Sequence, residues 1–239
     1  MGLKPHIKLS SPLPSKRAIV CGAPERAALI ADRLSDARPL AKNREYHSYC
    51  GWHLGQPLLV VSHGVGAPGA MLCFQELMDC GVEAMIRLGT AGGLYDDVGI
   101  GDLVVPTSAI RQEGVSRLMV PEALPAVPDR VLTTRLLDQL TSKNIPVREG
   151  MILSSDLFYP SLLEDQLAFY KKANAIAVEM ECSALFIAAH LRKVRAASVL
   201  VLDGNPLKWN EGHYDPTSQK ISQAVDHAVT ACLDALISM

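Results

Sequence analysis

Residues 84–92, with the sequence AMIRLGTAG, predict a buried β-strand that runs into a glycine-rich turn. Arg87 places a charged guanidinium inside this otherwise apolar run. Because an unpaired charge out of water costs several kcal/mol, Arg87 needs an anionic partner. Two partners are open: a structural carboxylate, for which Asp102 is available, or a phosphate held jointly by Arg87 and the Thr90 hydroxyl. The strand therefore predicts a candidate anion site as well as a part of the core.

Similar short apolar runs recur on both sides of residues 84–92 and alternate with segments of helical period. About seven strands are predicted, at 17–22, 58–63, 84–92, 102–110, 150–156, 175–181 and 197–203. Helices are predicted at 24–35, 69–80, 129–143, 183–193 and 218–239. The alternation indicates an α/β fold in which helices cover both faces of a mixed or parallel sheet. Since the sequence has no repeat and no long linker, we expect a single domain over 1–239, with the polar segment 204–217 as a surface loop or a lid.

The composition favours a folded protein that binds small ligands. Hydrophobic residues make up 49% and charged residues 20% of the 239 residues, which excludes a disordered chain. Lys and Arg number 23 against 25 Asp and Glu, so no basic excess is available to follow a nucleic-acid backbone. No run of roughly 20 uncharged apolar residues is present, and the amino terminus has no apolar signal core. We therefore expect a cytoplasmic protein with no nucleic-acid or membrane partner.

The cysteines and histidines indicate neither a metal site nor a disulfide framework. The six cysteines contain no CxxC pair, and most of them lie in apolar runs typical of buried thiols. The seven histidines never fall at the i, i+4 spacing of a helical metal site. We therefore expect no bound metal.

The first predicted strand runs into the turn GAPER (22–26), a candidate site for an anion. Pro24 suits the first position of a helix, whose free N–H groups can bind a phosphate with Arg26 beside them. The alternative is a plain strand-to-helix turn with a solvated Arg26. Arg44 is a further candidate, with an exposed charge paired to Glu45 as its alternative.

Residues 64–69 match the pattern GxGxxG at the start of a predicted helix, but they do not predict a dinucleotide site. In a dinucleotide-binding fold this pattern follows the first strand, and an acid closes the second strand about 20 residues later. Here the acid Glu83 is nearer, and the following strand carries Arg87. The glycines fit any ligand that approaches the backbone closely, or tight packing of a helix on a strand.

Acidic residues close two of the predicted strands. Glu179 and Glu181 lie two positions apart and share one face of a strand, so they cannot be buried together without compensating partners. Such an acid either stabilises the amino terminus of the next helix or accepts hydrogen bonds from the vicinal hydroxyls of a sugar. Asp203 is a candidate general acid, with a turn or capping aspartate as the alternative. Phe158, which follows a further strand together with Tyr159, offers either a face for a stacked base or a core contact.

Seven motifs follow one another over nearly the whole chain. They are GAPER (22–26), NREY (43–46), SHGVG (62–66), RLGTAGG (87–93), SSDLFYP (154–160), VEMEC (178–182) and LDG (202–204). Together they resemble the nucleoside phosphorylase family, which includes hexameric purine nucleoside phosphorylases and uridine phosphorylases. The resemblance implies the nucleoside phosphorylase fold, a central mixed sheet with helices on both sides, and a pentosyltransferase that uses inorganic phosphate as co-substrate and no cofactor. It also implies a homo-oligomer, a hexamer built as a trimer of dimers, whose active sites are shared across the dimer interface.

The same resemblance implies roles for individual residues. The implied phosphate-binding residues are Gly22, Arg26, Arg87, Thr90 and, from a neighbouring subunit, Arg44. Its ribose-binding residues are Met180, Glu181 and, across the dimer interface to the 5′-hydroxyl, His6. Its base-binding residues are Phe158, Tyr159, Val178 and Trp209. Asp203 is implied to donate a proton to N7 of a purine leaving group.

Departures from the family pattern bear on the substrate. Ala23 stands where the phosphate turn commonly has an acid. Residues 160–167 contain no arginine of the kind that reads uracil in uridine phosphorylases, and no arginine follows Asp203. Residues 204–212 instead resemble the loop of apicomplexan-type purine phosphorylases, so the expected reaction is phosphorolysis of inosine or guanosine. The alternatives are a uridine phosphorylase, a nucleosidase, which lacks these phosphate-side arginines, and a catalytically silent nucleoside-binding protein.

Overall fold

A computed structural model of the chain describes residues 2–159 and 165–239. All of its strands join one nine-stranded sheet. The strands are β1 (Arg17–Cys21), β2 (Ser35–Asn43), β3 (Tyr46–His53), β4 (Gln56–Ser62), β5 (Ala84–Gly93), β6 (Leu103–Arg111), β7 (Val147–Ser154), β8 (Ala177–Glu179) and β9 (Arg195–Gly204). The helices are α1 (Pro24–Ala31), α2 (Ala67–Asp79), α3 (Gly114–Met119), α4 (Arg130–Thr141), α5 (Asp165–Lys172), α6 (Cys182–Arg192) and α7 (Gln219–Ile237), with a 3₁₀ helix at Pro206–Glu211.

The sheet is mixed, as the family resemblance implies, and its second half closes on itself. The strand order is β2-β3-β4-β1-β5-β8-β7-β6-β9, with an additional pairing of β5 and β9. Strand β1 runs parallel to β4 and β5, whereas β3 is antiparallel to both β2 and β4. Because β9 pairs with β6 and also runs parallel to β5, the strands β5, β8, β7, β6 and β9 form a closed ring of pairings. The carboxyl ends of β1, β5 and β9 therefore meet at the same end of the sheet.

Helices cover both faces of the sheet, which confirms the predicted layers. Alternate residues of β1 enter two separate cores, with Val20 in one and Ile19 in the other. The first core contains side chains of α2 and α6, such as Phe74 and Phe186. The second contains side chains of α1, α4 and α7, such as Ile30. Since each fully buried large apolar side chain contributes about 1.5–3 kcal/mol, this burial on two sides holds the strand ends in fixed positions.

Besides the 3₁₀ helix, four elements of the described ranges lie outside the predicted set: β2, β3, α3 and α5. Strand β2 is mostly exposed, β3 mixes polar with apolar residues, and α3 and α5 are short, so none of them carries a continuous apolar signal. The predicted helix 24–35 is wrong in its last turn, because α1 ends at Ala31 and Ser35 already begins β2. The predicted strand 175–181 shortens to β8, because Glu181 is the N-cap of α6.

The segment 204–217 is built differently from an open loop. It contains the 3₁₀ helix, and an isolated bridge joins Gly204 to Tyr214. The Asn205 side chain accepts a hydrogen bond from the N–H of Leu207 and caps the first turn. The segment therefore folds back on the end of β9.

All six cysteines are buried free thiols. Across the described ranges, no helix combines the length and the apolar character that a membrane crossing requires. Within the same ranges, no group of three or more His, Cys, Asp or Glu side chains could hold a metal ion.

Candidate active site

A cavity of about 570 Å³ opens where β1, β5 and β9 end. The predicted site residues that line it are Gly22, Arg26, Arg87, Thr90, Phe158, Val178, Met180, Glu181, Asp203 and Trp209. The predicted site residues outside its lining are His6, Arg44 and Tyr159. Ligands of open α/β sheets bind beyond the carboxyl ends of strands, so the topology accounts for this clustering.

The turn between β1 and α1 forms one wall of the cavity. Gly22 allows two chain segments to approach closely, since a Cβ there would lie 3.3 Å from the carbonyl oxygen of Gly64. Ala23 is the N-cap of α1 and makes no side-chain hydrogen bond to the helix. The N–H groups of the first helical turn therefore keep their capacity to bind an anion.

Arg26 lies on the first turn of α1 and is half-buried at the cavity wall. Burial lowers the pKa of Arg26, and the positive charge of Arg87 lowers it further, while the Asp203 carboxylate acts in the opposite direction. A bound anion between the two arginines would relieve both unfavourable effects. The pair is therefore suited to a phosphate, whose oxygens accept bidentate hydrogen bonds from guanidinium groups.

Arg87 is buried at the centre of the site, where it forms ion pairs with two carboxylates. Its guanidinium bonds Glu181 directly, and its Nη1 lies 3.2 Å from Oε2 of Glu179. Burial lowers the pKa of Arg87, but the charges of these carboxylates outweigh burial and hold the pKa above its ordinary value. A Cβ at Gly89 would overlap the guanidinium, which explains a glycine two residues after the arginine.

The anionic partner expected for Arg87 exists, but Asp102 is the wrong candidate. Asp102 instead accepts hydrogen bonds from the Tyr95 hydroxyl at 2.7 Å and from the Gly99 N–H at 2.9 Å. These contacts hold Asp102 in the loop before β6. The structural partners of Arg87 come from the end of β8 and the start of α6.

Glu179 and Glu181 are both 4% exposed, and they divide the structural and ligand-facing roles. Glu179 accepts hydrogen bonds from the Ser154 hydroxyl at 2.5 Å and from the N–H groups of Glu181 and Cys182 at 2.8 and 3.0 Å. It therefore satisfies the amino terminus of α6. Glu181 accepts from the Gly66 N–H at 2.6 Å. Burial raises the pKa of Glu181, but the charge of Arg87 and this hydrogen bond outweigh it and hold the pKa below its ordinary range, so the group is an ionised acceptor.

Asp203 is half-buried near the end of β9, on the wall of the cavity. Burial raises the pKa of Asp203 to about 6, although the Arg26 charge opposes the change. A carboxyl group with this pKa holds a proton over a usable part of the range near neutrality. It can therefore act as a general acid, which the sequence alone leaves open.

An aromatic cluster closes the remaining side. The Phe158 and Trp209 ring centroids lie 5.2 Å apart, and the Tyr214 ring centroid lies 5.3 Å from that of Trp209. Tyr159 packs edge-on against Phe158 but is 76% exposed, outside the cavity lining. Pro160 of the SSDLFYP motif and residues 161–164 lie outside the described residues.

Comparison with known proteins decides the family. A profile described as the phosphorylase superfamily matches residues 16–238. The chain belongs to this superfamily. A purine nucleoside phosphorylase of Plasmodium vivax is 38% identical over 212 residues, which cover 88% of this chain and 86% of that protein.

Solved structures of this superfamily have the same fold. The crystal structure of purine nucleoside phosphorylase from Toxoplasma gondii in complex with immucillin-H matches with a TM-score of 0.93 and 31% identity, over 100% of this chain and 96% of that chain. The crystal structure of uridine phosphorylase from Vibrio fischeri matches with a TM-score of 0.92 and 30% identity, over 100% of this chain and 99% of that chain. The protein is therefore a pentosyltransferase with the nucleoside phosphorylase fold. Because these relatives include both purine and uridine enzymes, the base has to be argued from the site.

Two predicted site residues of this phosphorylase, Arg44 and His6, lie outside the cavity and near the turn between β2 and β3. Arg44 is exposed in that turn, with a φ of 53°. The neighbouring Glu45 lines the cavity, so the turn forms part of the cavity rim. The His6 ring packs edge-on against Tyr46, with ring centroids 5.8 Å apart. A role for His6 or Arg44 in a neighbouring subunit stays a prediction.

The phosphorylase cavity also has lining residues that the sequence did not single out, among them Glu45, Val65 and Leu157. His63, which lies just behind this wall, is fully buried and donates from Nδ1 to the Gly64 carbonyl at 2.8 Å. Burial lowers the pKa of His63 to about 4, so the ring is neutral. The SHGVG motif was the available signal for His63 and Val65, as NREY was for Glu45 and SSDLFYP was for Leu157.

Proposed function

We propose that this enzyme cleaves purine ribonucleosides, inosine and guanosine foremost, and transfers the ribose to inorganic phosphate. The observation that carries the proposal is a single cavity that combines an arginine pair, a buried ionised carboxylate and a protonatable acid. These groups are Arg26 with Arg87, Glu181 and Asp203. Each suits one part of the reaction.

The phosphate and the sugar have separate supports in this proposal. Phosphate lies on Gly22 and Thr90 between Arg26 and Arg87, where it relieves the repulsion of the two cations. Glu181 accepts hydrogen bonds from the ribose 2′ and 3′ hydroxyls, with Met180 beside the sugar. An ionised carboxylate suits this role because it only accepts and two vicinal hydroxyls donate.

The reaction then follows from the charges. As the bond between C1′ and the base breaks, its electron pair goes to the base and the sugar becomes oxocarbenium-like. The phosphate anion stabilises this positive charge, and its oxygen forms the new bond to C1′. Asp203 gives its proton to N7, so the purine leaves as a neutral base. General acid catalysis of this kind contributes about 10² to 10⁴ in rate.

The purine preference is supported by the wall opposite the phosphate turn. Phe158 and Trp209, whose rings are inclined to each other by 41°, offer apolar aromatic faces for a bicyclic base, together with Val178. Asp203 is an acid that suits N7, an atom that a pyrimidine lacks. The loop at 204–212 also resembles that of apicomplexan-type purine phosphorylases, and the purine enzyme of Plasmodium vivax is 38% identical.

The proposed assembly is a homo-oligomer in which Arg44 and His6 enter a neighbouring subunit's site, Arg44 toward phosphate and His6 toward the 5′-hydroxyl. A twofold arrangement shares two such sites reciprocally. A hexamer made of three such dimers is the assembly that the family resemblance implies. Inorganic phosphate is proposed as a co-substrate, with no further cofactor.

The test measures ribose 1-phosphate and free base formed from inosine, guanosine, adenosine and uridine, each with and without phosphate. We expect phosphate-dependent release of hypoxanthine and guanine, and loss of about 10² or more in kcat in Asp203→Asn. Comparable turnover of uridine and inosine would contradict the purine preference. Undiminished hydrolysis without phosphate would identify a nucleosidase instead.

A further inference from the structure

The amino-terminal segment is fastened to α2 by the carboxylate of Glu76. This residue is only 7% exposed and does not belong to the cavity lining. Its Oε2 accepts hydrogen bonds from the N–H groups of His6 at 3.1 Å and Ile7 at 2.9 Å. Its Oε1 lies 2.6 Å from Nδ1 of the His6 ring. Because a buried carboxylate without partners costs several kcal/mol, these contacts account for its position in the core.

The contact with Glu76 sets which nitrogen of His6 carries the hydrogen. Both oxygens of Glu76 already accept hydrogen bonds from backbone N–H groups, so the carboxylate acts as the acceptor and Nδ1 of His6 is the donor. In the neutral ring, Nε2 is then an acceptor, as in histidines oriented by a carboxylate behind them. The tautomer of His6 is therefore fixed by a group on another element, α2.

Two further contacts hold His6 in place. Asn43 Nδ2 donates to the His6 carbonyl oxygen at 2.7 Å, and the ring packs edge-on against Tyr46. Asn43 and Tyr46 flank the turn whose Glu45 lines the cavity, so the ring lies close to the cavity rim. The His6 side chain nevertheless stays 32% exposed. The backbone, the ring and the tautomer are all fixed, while part of the ring faces outward.

We infer that Glu76 is a positioning residue for the 5′ end of the nucleoside. It holds His6 in the Nδ1–H tautomer, so that Nε2 accepts a hydrogen bond from the ribose 5′-hydroxyl. This inference rests on the proposed function, in which His6 enters a neighbouring subunit's site. Glu76 itself makes no contact with substrate. Its effect is selectivity for a 5′ group that can donate a hydrogen bond.

The experiment compares inosine with 5′-deoxyinosine, which lacks only the 5′ donor, in the full-length wild type and in Glu76→Gln. Glutamine keeps the shape, but its amide can donate to Nδ1 and so move the ring hydrogen to Nε2. We expect KM for inosine to rise about tenfold, with little change in kcat and no change in KM for 5′-deoxyinosine. In a His6→Ala background, adding Glu76→Gln should change KM for inosine by about twofold or less.

A matched control lies on the same helix. Asp79 binds Lys4 of the same amino-terminal segment at 2.7 Å, so Asp79→Asn loosens that segment without touching His6. We expect this variant to keep the wild-type ratio of KM for 5′-deoxyinosine to KM for inosine. A ratio that falls as far in Asp79→Asn as in Glu76→Gln would overturn the inference, because it would trace the effect to the segment as a whole.

In Glu76→Gln, equal increases of KM for inosine and for 5′-deoxyinosine would likewise show a purely structural role. Additive effects of Glu76→Gln and His6→Ala on KM for inosine would show the same. Failure of the wild type to cleave inosine with phosphate would instead contradict the proposed function. Nitrogen-15 chemical shifts of the His6 ring at pH 8, assigned by their loss in His6→Ala, test the tautomer without any Glu76 variant. A hydrogen on Nδ1 supports the inference, and a hydrogen on Nε2 overturns it.

Discussion

The buried guanidinium of Arg87 bonds the Glu181 carboxylate and thereby joins the proposed phosphate side of the cavity to its proposed ribose side. Both groups line the cavity, and each is proposed to bind a different substrate. We expect a phosphate that engages Arg87 to compete with Glu181 for the guanidinium. The carboxylate would then have free lone pairs for the two ribose hydroxyls, whose donors would compensate for the weakened ion pair. Binding of the two substrates should therefore be coupled.

We predict that saturating phosphate tightens binding of a nucleoside analogue by about fivefold or more, the lower end of typical coupling between sites. A C-nucleoside is the suitable analogue, because its carbon–carbon glycosidic bond cannot be cleaved. Calorimetric titration with and without phosphate measures the effect. Linkage requires the analogue to tighten phosphate binding by the same factor, which is an internal control. Equal affinities with and without phosphate would contradict the coupling.

The raised pKa of Asp203 predicts how activity depends on pH. A general acid works only while protonated, so a pKa of about 6 makes kcat/KM fall as the pH rises above that value. Asp203→Asn should lose this limb of the profile along with most of the rate. Asp215→Asn is the matched control, because Asp215 is an exposed acid in the same segment. Initial rates with inosine between pH 5 and 8 measure the limb, and its persistence in Asp203→Asn would assign it to another group.

The same pKa makes Asp203 a cost to stability at neutral pH. The folded pKa of about 6 lies above the ordinary value of 3.8, so the folded state binds the proton more tightly. This contribution to the free energy of unfolding is full below pH 4 and is lost as the pH rises through 6. Because the group is partly exposed, we expect Asp203→Asn to gain about 2 kcal/mol at pH 8 and almost nothing at pH 4. Urea unfolding at the two pH values tests this, and an equal gain at both would contradict it.

Arg26 predicts a selective effect on phosphate. Arg26→Gln removes one guanidinium from the cavity wall and leaves Glu181 and its ion pair in place. We expect KM for phosphate to rise about tenfold or more, with KM for inosine changed by about threefold or less. Arg33→Gln is the matched control, since Arg33 lies just beyond the same helix and pairs with Asp226 on the surface. Equal losses for both substrates in Arg26→Gln would show that the arginine supports the fold.

The sequence predicted the layers and the clustering of the site, because both depend on buried strands with strong local signals. The run at 84–92 identified β5, and the anionic partner that Arg87 required is present. The prediction of Asp102 as that partner was wrong, because the partners are Glu179 and Glu181. The pairing of β8 with β5 brings them beside Arg87, and no local pattern in the sequence shows that pairing.

The hairpin of β2 and β3 could not be predicted in the same way. Strand β2 (Ser35–Asn43) is an exposed edge strand, so it carries no alternating apolar pattern. Its turn places Glu45 on the cavity and leaves Arg44 outside it. The contact of Glu76 with His6 spans 70 positions of the sequence and has no local signal.

Trp209 predicts where the base binds. Its ring packs against Phe158 and Tyr214, whereas the other tryptophan of the chain, Trp52, is 46% exposed on β3 and lies outside the cavity lining. We expect hypoxanthine to change the intrinsic fluorescence through Trp209 alone, because only this indole is within reach of a base in the cavity. The change should persist in Trp52→Phe and disappear in Trp209→Phe. KM for inosine should rise by about threefold or less in Trp209→Phe, which keeps an apolar ring, and by about tenfold in Trp209→Ala. A fluorescence change that survives in Trp209→Phe would place the base away from the aromatic cluster.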